Sequence, residues 1–281
     1  MTYLNPLSHK GSVAPYVLLG LLTCAAGAVL AGPCPSSGPA LTTLVAAEYA
    51  FAAGARVSVR QAFLDNLADD AWVLQPGPTP GKAWYQAHPD GRGRLAWYPH
   101  VADVAPSGDL GFTSGPYVYE RDGTRAFGQF LTVWRLGADC RWRVAFDGGI
   151  AHARLPEAAG VDPSSASATG VPGQPPEEAV SAFQSVAARE GLSAALRTYA
   201  HNGNFLMLLD GDAPMDLDHA ERRLRRRVVK EVWREAARGA SRDASLSYVV
   251  GGLGAGAYAQ VWQYDARTAN LGLRVLLLTG P

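Results

Sequence analysis

"RWRVAFDGGIAH", residues 141–152, closes the first half of the chain and decides how that half is read. Apolar and polar side chains alternate up to Asp147, the pattern of a strand with one buried face. Upstream, "GQFLTVWRL" (128–136) belongs to a second expected strand, and "LGAD" (136–139) between them has hairpin turn chemistry. "PSGD" (106–109) and "RDGT" (121–124) are further turn signals. They delimit expected strands at roughly 94–104, 109–120, 125–136 and 141–147.

The segment before these strands reads differently. Residues 39–67 carry helical patterning, and Ser58 with Gln61 three positions on resembles a capping box, so two helices are expected. A short strand, "AWVLQ" (71–75), and a short helix at "KAWYQAH" (82–88) follow. Helices first and antiparallel strands after define an α+β layout, with helices on one face of a curved sheet.

Asp147 is the conspicuous carboxylate of the opening stretch. Symmetric pairing across "LGAD" sets Trp134 opposite Trp142. Phe130, Thr132, Trp134, Trp142, Val144 and Phe146 then share one face, and Asp147 lies on the other. A one-residue bulge would reverse this, and Gly148 and Gly149 make one credible. Asp147 is therefore read either as a structural acceptor of hydrogen bonds or as an acid–base group, with His152 as its possible partner.

Residues 155–177 are rich in Pro, Gly, Ser and Ala and read as a linker. The segment after it repeats the plan of the first half. "AFAAGARVSVRQAFLDNLADD" (50–70) aligns without a gap on "AFQSVAAREGLSAALRTYAHN" (182–202). "VWRLGADCRWRVAFDGG" (133–149) corresponds to "VWQYDARTANLGLRVLLLTG" (261–280), which places Asp147 on Leu278. Two copies of one fold are expected, the second diverged. Its arginine-rich run "ERRLRRRVVKEVWREAARGASR" (221–242) has apolar residues at helical spacing. A helix carrying Arg222–Arg227 could meet an anionic membrane surface, or simply present a solvated face.

The 281 residues carry 25 basic and 25 acidic side chains, which removes the simplest argument for nucleic-acid binding. "YVLLGLLTCAAGAVLA" (16–31) follows a polar start and ends in small residues, the layout of a secretory signal peptide over 1–31. An uncleaved anchor and a lipoprotein are the alternatives. The expected location is the periplasm or the exterior, where Cys34 and Cys140 could pair or stay free. No metal-ligand spacing occurs, and "GLGAG" (252–256) runs into a strand pattern, so neither a metal nor a dinucleotide cofactor is expected.

"FLDNLADDAWVLQPGPTPGKAWY" (63–85), "SGDLGFTSGPYVY" (107–119) and "GQFLTVWRLGADCRWRVAFDGGIAH" (128–152) together resemble the DUF4440 and SnoaL-like branch of the NTF2-like superfamily. The resemblance covers about 40–153. Over 177–281 it rests on the internal repeat. It implies a cone, a bent antiparallel sheet wrapped against helices with a pocket at its open end. The chain is then a signal peptide (1–31), an NTF2-like domain (32–154), a linker (155–177) and a diverged NTF2-like domain (178–281). Face-to-face dimers are common in the superfamily, so the tandem is expected to form an intramolecular pseudo-dimer. Isomerase-like members place a base just after the first strand, an oxyanion donor on the first helix and a second carboxyl on a later strand. The matching positions here hold Gln75, Phe51 and Thr132, none of which suits its role. The expected function is binding of a small apolar or aromatic ligand by Trp84, Tyr85, Trp97, Tyr117, Phe130, Thr132 and Trp134. The alternatives are a SnoaL-like hydrolase, isomerase or lyase using Asp147 and His152, and a scaffold whose cones are filled by their own side chains.

Overall fold

The computed structural model describes residues 34, 37–155, 169–201, 203–225, 227 and 229–280. The expected signal peptide and most of the linker lie outside the described residues. The first half opens with α1 (Ser37–Ala55) and α2 (Val59–Asn66), which break apart where sequence reading put the cap. The Ser58 side chain accepts from the Gln61 backbone N–H at 3.0 Å, while the Gln61 amide turns to Asp65 instead of completing the box. Strands β1 (Leu67–Leu74) and β2 (Pro78–Pro80), helix α3 (Gly81–Ala87) and strands β3 (Arg94–Trp97), β4 (Val101–Val104), β5 (Leu110–Arg121), β6 (Thr124–Leu136) and β7 (Trp142–His152) follow.

These strands form one sheet in the order β2-β1-β7-β6-β5-β3, with β4 also on β5. The expected single strand at 94–104 is two strands, because Pro99 has no N–H to give the ladder. Gly115 of β5 sits at this break, and a Cβ there would strike the Tyr98 carbonyl.

The second half contains α4 (Pro176–Glu190), α5 (Leu192–Tyr199), β8 (Leu206–Leu209), α6 (Leu217–Leu224), β9 (Trp233–Ala240), β10 (Leu246–Leu253), β11 (Gly256–Asp265) and β12 (Asn270–Leu278). Its sheet runs β8-β12-β11-β10-β9, with β8 parallel to β12 as β1 is parallel to β7. The expected helix over 221–242 is not formed. Its helical part ends at Leu224, and Trp233–Ala240 is an edge strand on β10. The apolar spacing there is met by tertiary packing instead. Trp233 stands edge-on to Phe183 and Tyr258 in the second core. Arg223 pairs with Asp212 and Arg238 with Glu235, so the arginines do not make one continuous cationic face.

Helices cover one face of each sheet, and the other faces meet. Phe112, Leu131, Val133, Phe146 and Ile150 of the first sheet share a buried cluster with Tyr248, Val250, Val261, Val275 and Leu277 of the second. The turn after β4 also meets the turn after β9. The Ser107 N–H donates to Asp243 at 2.8 Å, and the Arg242 N–H to Asp109 at 3.1 Å. The two turns have the same build. Ala105 N–H bonds Leu110 O, as Ser241 N–H bonds Leu246 O, and each holds a left-handed residue at its fourth position, Gly108 (φ 73°) and Ala244 (φ 56°). Cys34 and Cys140 form a disulfide that ties the chain before α1 to the β6–β7 turn.

Candidate functional site

The β6–β7 hairpin sets the site, and its register differs from the symmetric one. Leu136 pairs with Trp142 and Trp134 with Val144, then the ladder shifts, so that Val133 faces Phe146 and Thr132 faces Asp147. Ala145 is the extra residue of a bulge. Trp134, Trp142 and Val144 keep their common face, in the core under the helices. Beyond the bulge the sides exchange. Phe146 turns into the cluster between the sheets, and Asp147 turns to the helix side, beside Thr132. The expectation that Asp147 faces away from Thr132 is overturned, and by a bulge at Ala145 rather than at the glycines. Strand β7 also continues through Gly148 and Gly149 to His152 instead of ending at Asp147.

Energetics explain the choice. Burying a phenylalanine is worth roughly 1.5–3 kcal/mol, whereas an ionised carboxylate in a dry core without a partner costs far more. The symmetric register would put Asp147 between the sheets and Phe146 at the cavity. One extra residue in β7 exchanges them.

Asp147 borders a cavity of about 210 Å³ walled by Phe63, Tyr85, Leu95, Trp97, Tyr117 and Phe130, with Gln75 at its edge. Thr132 lies wholly buried behind the carboxylate, and its Oγ1 donates to Asp147 Oδ2 at 2.7 Å. Burial pushes the Asp147 carboxyl up to about 7; the Thr132 hydroxyl works against this and the charge of Glu48 adds to it. Tyr85 stacks on Phe63 with ring centroids 4.2 Å apart. Its phenol is pushed well above the usual range by burial and then by Asp147, while a hydrogen bond with the Gln75 side chain opposes the rise. The phenol is thus a neutral donor close to a carboxyl that changes charge near neutrality.

Glu48 is the group that sequence reading missed. It is fully buried on α1, in line with Ala40, Leu44 and Ala52 on the face that meets the sheet. Trp97 Nε1 donates to its Oε1 at 2.5 Å. Thr113 Oγ1 and Trp134 Nε1 reach its Oε2 at 2.5 and 3.0 Å. Burial raises its carboxyl pKa against the pull of these three donors. The signal was present in the sequence, since Glu48 is the only charged residue in "SGPALTTLVAAEYAFAAGA" (37–55).

The other expected site residues fall in three places. Tyr85, Trp97, Tyr117 and Phe130 wall the Asp147 cavity. Trp84 lies outside it, stacked on His88 and lining a neighbouring cleft of about 540 Å³. Trp134 is fully buried, and its indole N–H is given to Glu48 instead of to the cavity. Thr132 acts through Asp147. His152 is not brought to Asp147: five positions along one strand place them on opposite faces, and His152 borders a different cavity. Its Nδ1 donates to the Ala153 carbonyl at 2.6 Å. Phe51 packs against Phe63, Trp97 and Trp134. No three His, Cys, Asp or Glu side chains among the described residues are grouped to hold a metal. In the second half Phe183, Tyr199, Trp233, Tyr258 and Trp262 stack edge to face with centroids 4.8 to 6.4 Å apart. Leu278, aligned with Asp147, is fully buried in that core.

No family model matches the chain, and no curated protein matches it. Solved structures do show likenesses. An NTF2-like protein from Pseudomonas putida KT2440 is 16% identical, with 41% of this chain and 88% of that chain covered and a TM-score of 0.35. A ketosteroid isomerase-like protein from Erwinia carotovora atroseptica SCRI1043 is 19% identical over 40% of this chain and 95% of that chain, TM-score 0.33. An LEH-like epoxide hydrolase from M. tuberculosis is 14% identical over 39% and 78%, TM-score 0.31.

Proposed function

We propose that the chain is an exported small-molecule-binding protein whose first half holds an uncharged, largely aromatic ligand against Asp147. The observation that carries this reading is a carboxyl group opening onto a cavity walled mainly by aromatic and aliphatic side chains, Phe63, Tyr85, Trp97, Tyr117 and Phe130 with Val73, Leu74 and Leu95. Such a site takes an apolar body and one polar group, which the carboxyl orients by accepting or donating a proton. The first half is read as an NTF2-like cone of the DUF4440 and SnoaL-like kind. The second is its diverged copy, with a filled interior, packed on the first as an intramolecular pseudo-dimer. The matched turns support that reading: Ser107 and Asp243 occupy equivalent positions and touch, as a pseudo-two-fold axis requires. The Cys34–Cys140 bond supports an oxidising compartment, in line with the signal-like segment 16–31.

Calorimetric titration with 2-naphthol tests the reading. Saturable binding is expected, and Leu95→Trp, which fills the cavity, is expected to abolish it. Absence of binding to the native chain, or equal binding to the variant, would sink the proposal.

A second reading is acid–base catalysis. The position of Asp147 favours it: the carboxyl missing at Thr132 is supplied one strand over, by the residue directly opposite. Exchange of the α-protons of acetophenone in D₂O, followed by NMR, tests it. A rate above buffer that disappears in Asp147→Asn supports catalysis; a rate equal to buffer leaves the site a binding site.

A further inference from the structure

A second and larger cavity, of about 790 Å³, lies beyond Trp97 and Tyr117, which wall both spaces. Its volume is in the range of small-molecule sites. Its apolar lining includes Trp97, Tyr98, Val101, Phe127 and Leu206. Its ionisable nitrogens come from Arg56, Arg125, Arg154, His100 and His152, and no aspartate or glutamate is among its lining residues. Arg125 is neutralised by Glu120 at 3.0 Å. Asp210, whose charge adds to the effect of burial in raising the Tyr117 phenol, accepts from the Ala151 N–H and is not part of the lining. Arg56 and Arg154 make no ion pair among the described residues. Arg154 lies over the Phe127 ring at 5.8 Å, a contact that holds the guanidinium at the cavity wall. The second half closes one side with Leu206 and Pro214.

We propose that this cavity binds an amphipathic carboxylate, with its chain along the aromatic and aliphatic wall and its head group on Arg56 and Arg154. A guanidinium meets a carboxylate through two parallel N–H donors, and surplus positive charge in the lining of an apolar space selects an anion over a neutral or cationic amphiphile. The site is separate from that of Asp147 and gives the second half a part in binding, because two of its residues complete the wall.

Titration calorimetry of the full chain with micromolar dodecanoate, dodecanol and dodecyltrimethylammonium tests the proposal. Dodecanoate is expected to bind at least tenfold more tightly than either of the others. The Arg56→Gln/Arg154→Gln double variant is expected to lose that preference while its circular dichroism and melting temperature stay unchanged. Asp147→Asn is expected to leave dodecanoate affinity within twofold, so failure here and failure at Asp147 are read separately. No dodecanoate binding, equal binding of the three amphiphiles, or an undiminished preference in the double variant would overturn the assignment.

Discussion

Thr132 and Asp147 face each other across β6 and β7, and the threonine hydroxyl donates to the carboxylate at 2.7 Å. This pair puts a titrating group at an aromatic wall. Its pKa stands at about 7 against an ordinary 3.8. Well below pH 3.8 the carboxyl is neutral folded or unfolded. As pH rises from there toward 7, the unfolded chain loses the proton while the folded one keeps it, so stability falls. Above 7 the loss is complete, on the order of 4 kcal/mol. Asp147→Asn keeps a carbonyl acceptor for Thr132 and does not titrate. The variant is expected to melt at a higher temperature than the native chain at pH 8 and at a similar one at pH 4, measured by scanning calorimetry.

Glu48 is likewise raised by burial and held down by donors, but three are arranged around it rather than one. Glu48→Ala strands the Trp97 indole and the Thr113 hydroxyl in the core and leaves the Trp134 indole only its 3.1 Å bond to Thr113 Oγ1. Each unpaired donor costs about 1–3 kcal/mol, so a loss of about 3 kcal/mol or more is expected from urea unfolding. Glu48→Gln restores one acceptor but turns an amide N–H toward a donor, and should fall between the native chain and the alanine variant. Ligand binding next to Trp97 should weaken in parallel, because the indole loses its anchor.

The disulfide closes a span of 106 positions. A cross-link over such a span restricts the unfolded chain strongly, and its removal costs about 2–4 kcal/mol. Cys34→Ser/Cys140→Ser is expected to lower the melting temperature in oxidising buffer and to make it insensitive to dithiothreitol. An unchanged melting temperature would show that the bond does not form in the folded protein.

Leu277 lies fully buried between the two sheets. Leu277→Asp sets an unpaired charge there, and the expected cost is at least several kcal/mol. The urea transition should shift to lower denaturant, with new binding of a hydrophobic dye at the uncovered faces.

Much of the layout could be read from residue patterns, because those signals are local. The Ser58 cap, the Pro/Gly turns and the strands they delimit at 109–120 and 125–136 each depend on a few neighbours in sequence. The bulge at Ala145 depends on the second sheet, which demands Phe146 and rejects Asp147. No local pattern carries that demand, so strand parity turned the carboxylate the wrong way. The run from Glu221 to Arg242 failed for the same reason. Its helical spacing is real, yet β10 and the ring of Phe183 claim Trp233 for a strand and a core. Glu48 was legible in principle as the one charge on an apolar helix stripe, but its partners are 49, 65 and 86 positions away.

In each half the first strand lies parallel to the last, Val73 beside Asp147 and Leu209 beside Leu278. A ribosome therefore delivers β1 long before the strand it must pair with, and β6 is complete before β7 exists. The cavity wall cannot close until residue 147 has emerged and docked, so the carboxylate arrives among the last pieces of its half. A chain truncated within β7 would carry every aromatic ring of the site and still have no site.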